Sequence, residues 1–366
     1  MNLFNDNNYC AVFKKASQKF SLSKKTKQEI IKDRKEIEEI LTGKDNRMIF
    51  IVGPCSAWPS SAVINYAKKL KKVSEDVKPF LKIILRVYTQ KPRTINGWNG
   101  MMAEPDPFMP PDLERGVKFS IDLINKILKI GLPIADEALF LFPSLVLSNY
   151  LSWISVGARS SENQEHRGFA SGMNMPVGIK NPTSGSIIDG INGVLAAQSS
   201  QVSLFHSVKK RTAGNPFSHL VLRGGQTGSN CGKTKLKSAI RLLKENNVKN
   251  PSIIIDASHG NCIKQKIKDH TLQDDNVIGV LKLIRSNPDL FKHIKGFMVE
   301  SFLKDGAQDI KKNNSTSIDR NGLSVTDPCL SWDKTRNLIF ETARRVSELT
   351  IKKQKAGIHA RGMFLN

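Results

Sequence analysis

Between residues 46 and 350, short apolar runs of strand length alternate with longer stretches of helical pattern, and there are eight of these runs. They fall at 48–52, 81–88, 132–136, 154–158, 175–180, 219–224, 252–258 and 294–300. Helical stretches lie at 60–74, 112–129, 143–152, 186–198, 233–246 and 275–287, with a last one at 333–350 after the eighth run. The runs show little polar alternation, which is the pattern of strands covered on both faces, as in a parallel sheet wrapped by helices. Eight such units in the about 320 residues from 46 onward predict an α/β chain of the (β/α)8 TIM-barrel type, for which about 250 residues is typical. A doubly wound open sheet is the second architecture with this rhythm, but no glycine fingerprint follows the first run.

The barrel is expected over residues 46–350, after an arm at 1–45 and before a basic tail at 351–366. The arm is rich in Lys, Asn, Glu and Ser and contains no strand-like run. Ser23 followed by KKTKQEIIKDRKEIEEIL predicts a capped helix, with Ile30, Ile31, Ile37, Ile40 and Leu41 on one apolar stripe. That stripe needs a surface to cover it, either the barrel or another subunit.

In a barrel the catalytic face is built from the C-terminal strand ends and the loops that follow them. Here those ends carry Cys55, then Arg86 with Lys91 and Arg93, then Glu137, Arg159, Lys180, Arg223, His259 and Glu300. Any one of them alone reads as a solvated loop charge or a structural residue; a reactive group at every exit does not. The six cations exceed what one phosphate requires, and fit a substrate with several anionic groups or two phosphorylated substrates. Gly157, Gly178, Gly224 and Gly225 are expected to let backbone N–H groups approach a phosphate. Cys55, His259, Glu300 and Asp327 offer one sulfur, one nitrogen and two carboxylates, joined by strand-end placement rather than by a local spacing motif. Such a mixed set suits a divalent transition ion (Mn, Fe, Co or Zn) better than Mg or Ca, and the ion would act as a Lewis acid.

Composition narrows the partners. The net charge of +23 favours anionic ones. The basic residues are nevertheless spread along the chain without aromatic interleaving, and KKTK, KKLKK, KKR and KKQK read as solvated faces, so no nucleic-acid partner is expected. No membrane span is expected either: the most apolar stretch, 139–147, is short and contains Pro143, whereas about 20 apolar residues are needed. The N-terminus has no signal-peptide pattern, and its first arginine is Arg34. The cysteines, at 10, 55, 231, 262 and 329, form no CxxC pair, which points to a reducing, cytoplasmic setting.

Nine segments are familiar: GPCS (53–56), RVYTQKPRT (86–94), GW (97–98), GARSSENQEHR (157–167), PVGIKNPTSG (176–185), LRGG (222–225), DASHGN (256–261), MVES (298–301) and VTDPCLSW (325–332). Through them the chain resembles the type I 3-deoxy-D-arabino-heptulosonate 7-phosphate (DAHP) synthases of the Phe/Tyr/Trp-sensitive subgroup. KPRT distinguishes these from the related 3-deoxy-D-manno-octulosonate 8-phosphate synthases. The resemblance implies the condensation of phosphoenolpyruvate with erythrose 4-phosphate to DAHP and phosphate, at the head of the shikimate route. It places the divalent metal on Cys55, His259, Glu300 and Asp327, and phosphoenolpyruvate on Arg86, Lys91, Arg159, Lys180 and Arg223. Pro92, Arg93 and Thr94 correspond to the erythrose 4-phosphate site. Lys91 as proton donor, Glu137 as the group that orients water, and His259 make up the implied catalytic set. The resemblance also implies a homodimer or homotetramer, and an aromatic amino acid inhibitor bound near 139–142 and 173–174.

Departures from the family pattern open a second reading, a degenerate or specialised paralogue with altered activity, regulation or aldehyde. Phe302 stands where the family has His, and Leu323 where a Lys precedes S-x-T-D. Asp136-Glu137-Ala138 replaces GEF, and the segment between Ser203 and His219 is short. Cys329, two residues after Asp327, is expected to form a disulfide with Cys55 when the metal is absent.

Overall fold

The strand β1 (Met48–Gly53) shows how the apolar runs are used. Its side chains alternate between two hydrophobic layers, as the period of two in a strand requires. Ile49 and Ile51 join Ile84, Trp153, Val221, Ile254 and Met298 in an inner layer, while Met48, Phe50 and Val52 belong to the outer layer shared with the helices. Each fully buried side chain of this size contributes about 1.5–3 kcal/mol.

The structure is a computed structural model, and it describes residues 18, 21–93, 97–205, 208–226, 228–264 and 267–362. Among the described residues, β1 is followed by β2 (Leu81–Arg86), β3 (Ile134–Ala138), β4 (Trp153–Val156) and β5 (Val177–Lys180). A hairpin of β6 (Val202–Phe205) and β7 (Val208–Arg211) precedes β8 (Ser218–Gly224). After β9 (Ile253–Gly260) come a second hairpin, β10 (Ile263–Lys264) and β11 (Ile267–Lys268), and finally β12 (Ile294–Glu300). The strands β1, β2, β3, β4, β5, β8, β9 and β12 are parallel and close into a barrel in that order, which excludes the open sheet.

Helix α1 (Lys24–Thr42) lies at the N-terminal end of the barrel. Ser23 Oγ accepts from the Thr26 amide at 3.1 Å, and Gly43 ends the helix in the left-handed region. Ile37, Ile40 and Leu41 enter the inner layer of the barrel, and Ser252 donates to the Leu41 carbonyl at 2.7 Å. One member of the expected stripe is wrong: Ile31 is 63 % exposed. Each helical residue turns about 100°, which carries Ile31 off the face that Ile30, Ile37 and Leu41 share.

The crossover helices are α2 (Ser60–Val77), α3 (Leu113–Ile130), α4 (Leu141–Leu147), α5 (Gln164–Gly172), α6 (Ile187–Gln198), α7 (Lys233–Glu245) and α8 (Leu272–Ser286). A last helix, α9 (Trp332–Gly362), runs on into the residues expected to be a basic tail. The helix α5 is absent from the sequence-based expectation because QEHRGFASG has no apolar periodicity. It is started by Asn163, whose Oδ1 accepts from the amides of Glu165 and His166. No described helix is long and apolar enough to cross a membrane.

Candidate active site

A cavity of about 660 Å³ opens at the C-terminal ends of the strands. Nearly every residue singled out from the sequence lines it: Cys55, Arg86, Lys91, Pro92, Arg93, Glu137, Arg159, Lys180, Arg223, His259 and Asp327. Glu300 lies beneath, fully buried at the end of β12. Thr94 lies outside the described residues.

The floor is a buried lattice of opposite charges. Arg86 donates from Nη2 to Glu300 Oε1 at 3.0 Å and from Nε to the Pro54 carbonyl at 3.1 Å. Its Nη1 is buried with no hydrogen-bond partner among the described residues, a donor left over for a ligand. Lys180 Nζ meets Glu137 Oε1 at 2.6 Å. Lys91 Nζ donates to the Cys55 carbonyl at 2.8 Å and stands 3.2 Å from Cys55 Sγ. Burial alone would raise the Glu137 carboxyl, but Lys180 and then Lys91 hold it below its ordinary range. Burial opposes the charge of Lys91, but Cys55 and Glu300 overcome it and raise the ammonium above its usual value. Lys91 is therefore held in its charged form.

Tyr88 is the main residue that the sequence reading missed. Its ring lies 3.8 Å below the Arg86 guanidinium carbon, with Lys180 Nζ at 5.4 Å and Lys91 Nζ at 5.8 Å from the centroid. One aromatic ring thus lies within cation–π distance of three cations. Its position in Arg-x-Tyr, on the same face as Arg86, was the available signal. Asp136, in the family's glycine position, accepts from the Glu137 amide at 2.7 Å and from Thr89 Oγ1 at 2.9 Å. It ties the exit of β2 to that of β3, and burial pushes its carboxyl up to about 7.

Three asparagines, also missed, fasten the exits of β5, β8 and β9. Asn181 accepts from the Arg223 amide at 2.8 Å, Asn230 from the Gly224 amide at 3.0 Å, and Asn261 from the Asn230 amide at 2.8 Å. The glycines nearby answer to packing rather than to phosphate approach. A Cβ on Gly224 would lie 2.3 Å from the Gly260 carbonyl carbon, and one on Gly178 would lie 2.3 Å from the Trp153 ring. Only Gly157 of the four lines the cavity.

The expected metal ligands fall on one side. Donor atoms of Cys55, Glu300 and Asp327 lie within 4.8 Å of one another. His259 stands beside them, with Nε2 3.6 Å from Glu300 Oε1 and Nδ1 2.9 Å from Asp256 Oδ2. Its backbone is left-handed, at φ 52°, a costly conformation for a residue with a side chain and one that concentrates at functional sites. Burial and then the Glu300 charge push the Cys55 thiol up. The Cys329 thiol takes a hydrogen bond from the Cys55 amide at 3.3 Å.

Two of the departures, Phe302 and Leu323, do not line this cavity. Phe302 is fully buried against Tyr66, 6.2 Å between ring centroids, and Tyr66 packs in turn on Trp332 at 5.4 Å. Leu323 accepts from Gln308 through its carbonyl and does not line the cavity.

Comparison with known proteins decides the family. The model of the DAHP synthetase I family matches residues 20–359. The chain belongs to the DAHP synthetase I family. It is 35 % identical over 337 residues to the Trp-sensitive phospho-2-dehydro-3-deoxyheptonate aldolase of Buchnera aphidicola subsp. Schizaphis graminum, covering 90 % of this chain and 93 % of that one. It is 34 % identical over 332 residues to the Tyr-sensitive enzyme of Escherichia coli K12, covering 88 % and 89 %. The solved phospho-2-dehydro-3-deoxyheptonate aldolase of Francisella tularensis SCHU S4 superposes with a TM-score of 0.84 at 33 % identity, covering 92 % of this chain and 96 % of that one. This member of the family is accordingly a DAHP synthase, an enzyme of the condensation step in aromatic amino acid biosynthesis.

Proposed function

We propose that the buried cations form the phosphoenolpyruvate site and that Cys55, His259, Glu300 and Asp327 form the metal site of this DAHP synthase. The observation that carries the first part is the Arg86 guanidinium, fixed by Glu300 and Pro54 yet left with a buried free donor in the cavity wall. Arg86, Lys91 and Lys180 bind the carboxylate and phosphate of phosphoenolpyruvate from below, and Arg159 and Arg223 bind them from the rim. Pro92, Arg93 and Thr94 receive the phosphate of erythrose 4-phosphate. Holding the two anions still aligns C3 of phosphoenolpyruvate with the aldehyde carbon, and the same cations stabilise the negative charge that develops. Glu137, kept ionised by Lys180, orients the water that adds at C2 before phosphate leaves by C–O cleavage.

The metal-site residues fit a divalent transition ion: one sulfur and two carboxylates already converge, and an imidazole adjoins them. Bound there, the ion would supply Lewis acidity toward the aldehyde oxygen. Phe302 and Leu323 leave the cavity lining untouched, which favours an intact synthase over a degenerate one. The names of the relatives, Trp- and Tyr-sensitive, support an aromatic amino acid as the regulator of this chain, at the 139–142 and 173–174 segments. A cytoplasmic homodimer or homotetramer completes the reading.

Removing one rim cation tests the substrate site. Arg159→Ala is expected to weaken phosphoenolpyruvate binding by about tenfold or more in calorimetry, the equivalent of about 1.4 kcal/mol. Unchanged affinity would take Arg159 out of the site.

A further inference from the structure

Lys268 belongs to none of the segments that carry the family resemblance, yet it reaches into the proposed metal cluster. Its Nζ lies 2.7 Å from Asp327 Oδ2 and 4.0 Å from Glu300 Oε2. Those carboxylates supply two of the three converging donor atoms. A transition ion binds carboxylate oxygens at about 2.0–2.2 Å, so an ammonium hydrogen-bonded to one of these carboxylates competes for its negative charge and repels the ion at close range.

The element that carries Lys268 is weakly held. β10 and β11 are two residues each, paired as Ile263 with Lys268 and Lys264 with Ile267. Asp269 N donates to the Cys262 carbonyl at 2.8 Å to close the base. Ile263 and Ile267 are 42 % and 70 % exposed, so little apolar burial resists movement. Ile263 also lines the substrate cavity, which joins the hairpin to both sites.

We propose that Lys268 competes with the divalent ion for Asp327 and Glu300, so that metal binding turns Lys268, with β11, out of the cluster. Lys268 then limits metal affinity. This inference rests on the reading of Cys55, Glu300 and Asp327 as metal ligands.

The test is a Mn²⁺ titration of EDTA-stripped full-length protein, with free Mn²⁺ followed by electron paramagnetic resonance. Wild type, Cys55→Ser, Lys268→Met and Lys268→Arg are compared. Lys268→Met is expected to bind Mn²⁺ about fivefold tighter than wild type, or about 1 kcal/mol, and Lys268→Arg to stay near wild type. Equal or weaker binding by Lys268→Met, with Cys55→Ser impaired, would overturn the competition while leaving the metal site intact. Failure of wild type to bind, or binding by Cys55→Ser as tight as wild type, would instead remove the metal site and the competition with it. Hydrogen exchange on wild type alone gives an independent answer: Mn²⁺ should speed exchange of the Lys268 and Asp269 amides. Unchanged or slower exchange would rule out displacement of β11.

Discussion

Glu137 and Lys180 meet at 2.6 Å inside the barrel mouth, and both are buried. The pair joins the exits of β3 and β5 and points its charges at one cavity. Glu137→Gln keeps the shape but cannot hold water as a carboxylate does, and kcat is expected to fall about a hundredfold, the low end for general acid–base groups. Affinity for phosphoenolpyruvate should change little. Lys180→Met differs: it leaves a buried carboxylate unpaired and should cost about 3–5 kcal/mol of stability. Steady-state kinetics and urea unfolding separate the two; an active Glu137→Gln enzyme would remove Glu137 from the chemistry.

His219, deep in the barrel, accepts from Trp153 Nε1 at 3.1 Å, and its Nδ1 faces the Phe217 carbonyl at 2.9 Å. Burial lowers its pKa to about 4, from 6.5 in the unfolded chain. The unfolded chain therefore binds a proton first as the solution is acidified. Stability is fully present above pH 6.5 and is lost as pH falls toward 4, by about 3 kcal/mol at about 1.4 kcal/mol per pH unit. Urea midpoints at pH 7 and pH 4.5 should diverge less for His219→Asn than for wild type. An equal pH dependence would mean that other groups carry the acid sensitivity.

Cys329 Sγ sits 3.3 Å from the Cys55 amide nitrogen, with both side chains buried. Burial pushes both thiols up, so each is protonated at neutral pH and slow to oxidise without an oxidant or movement of the loop. Metal-stripped enzyme treated with a mild disulfide oxidant is expected to lose activity and two titratable thiols together, and to recover both on reduction. Cys329→Ala should resist the oxidant. Equal inactivation of Cys329→Ala would place the damage elsewhere.

The barrel was legible in the sequence because buried parallel strands are near-continuous apolar runs, and all eight runs overlap strands of the closed sheet. The site residues were legible because strand exits in this fold share one mouth, which brings Cys55, Glu137, Lys180 and Asp327 together from distant parts of the chain. Other features lacked a local signal. The roles of Tyr88, just past the end of β2, and of Asp136, in β3, emerge only when the closed barrel sets them beside Arg86 and Glu137. Asn181, Asn230 and Asn261 act only as a set across three exits. Gly178 and Gly224 looked available to a phosphate because sequence does not show which backbone or ring a missing Cβ admits. Ile31 was misplaced because apolar character alone does not fix which face of a helix is covered.

The most direct test supplies phosphoenolpyruvate and erythrose 4-phosphate to EDTA-stripped protein, with and without Mn²⁺, and follows phosphate and DAHP together. The buried cation ring and the metal cluster predict one phosphate released for each DAHP formed, restored by the metal and lost in Cys55→Ser. Absence of product with any divalent transition metal, despite phosphoenolpyruvate binding, would contradict the account.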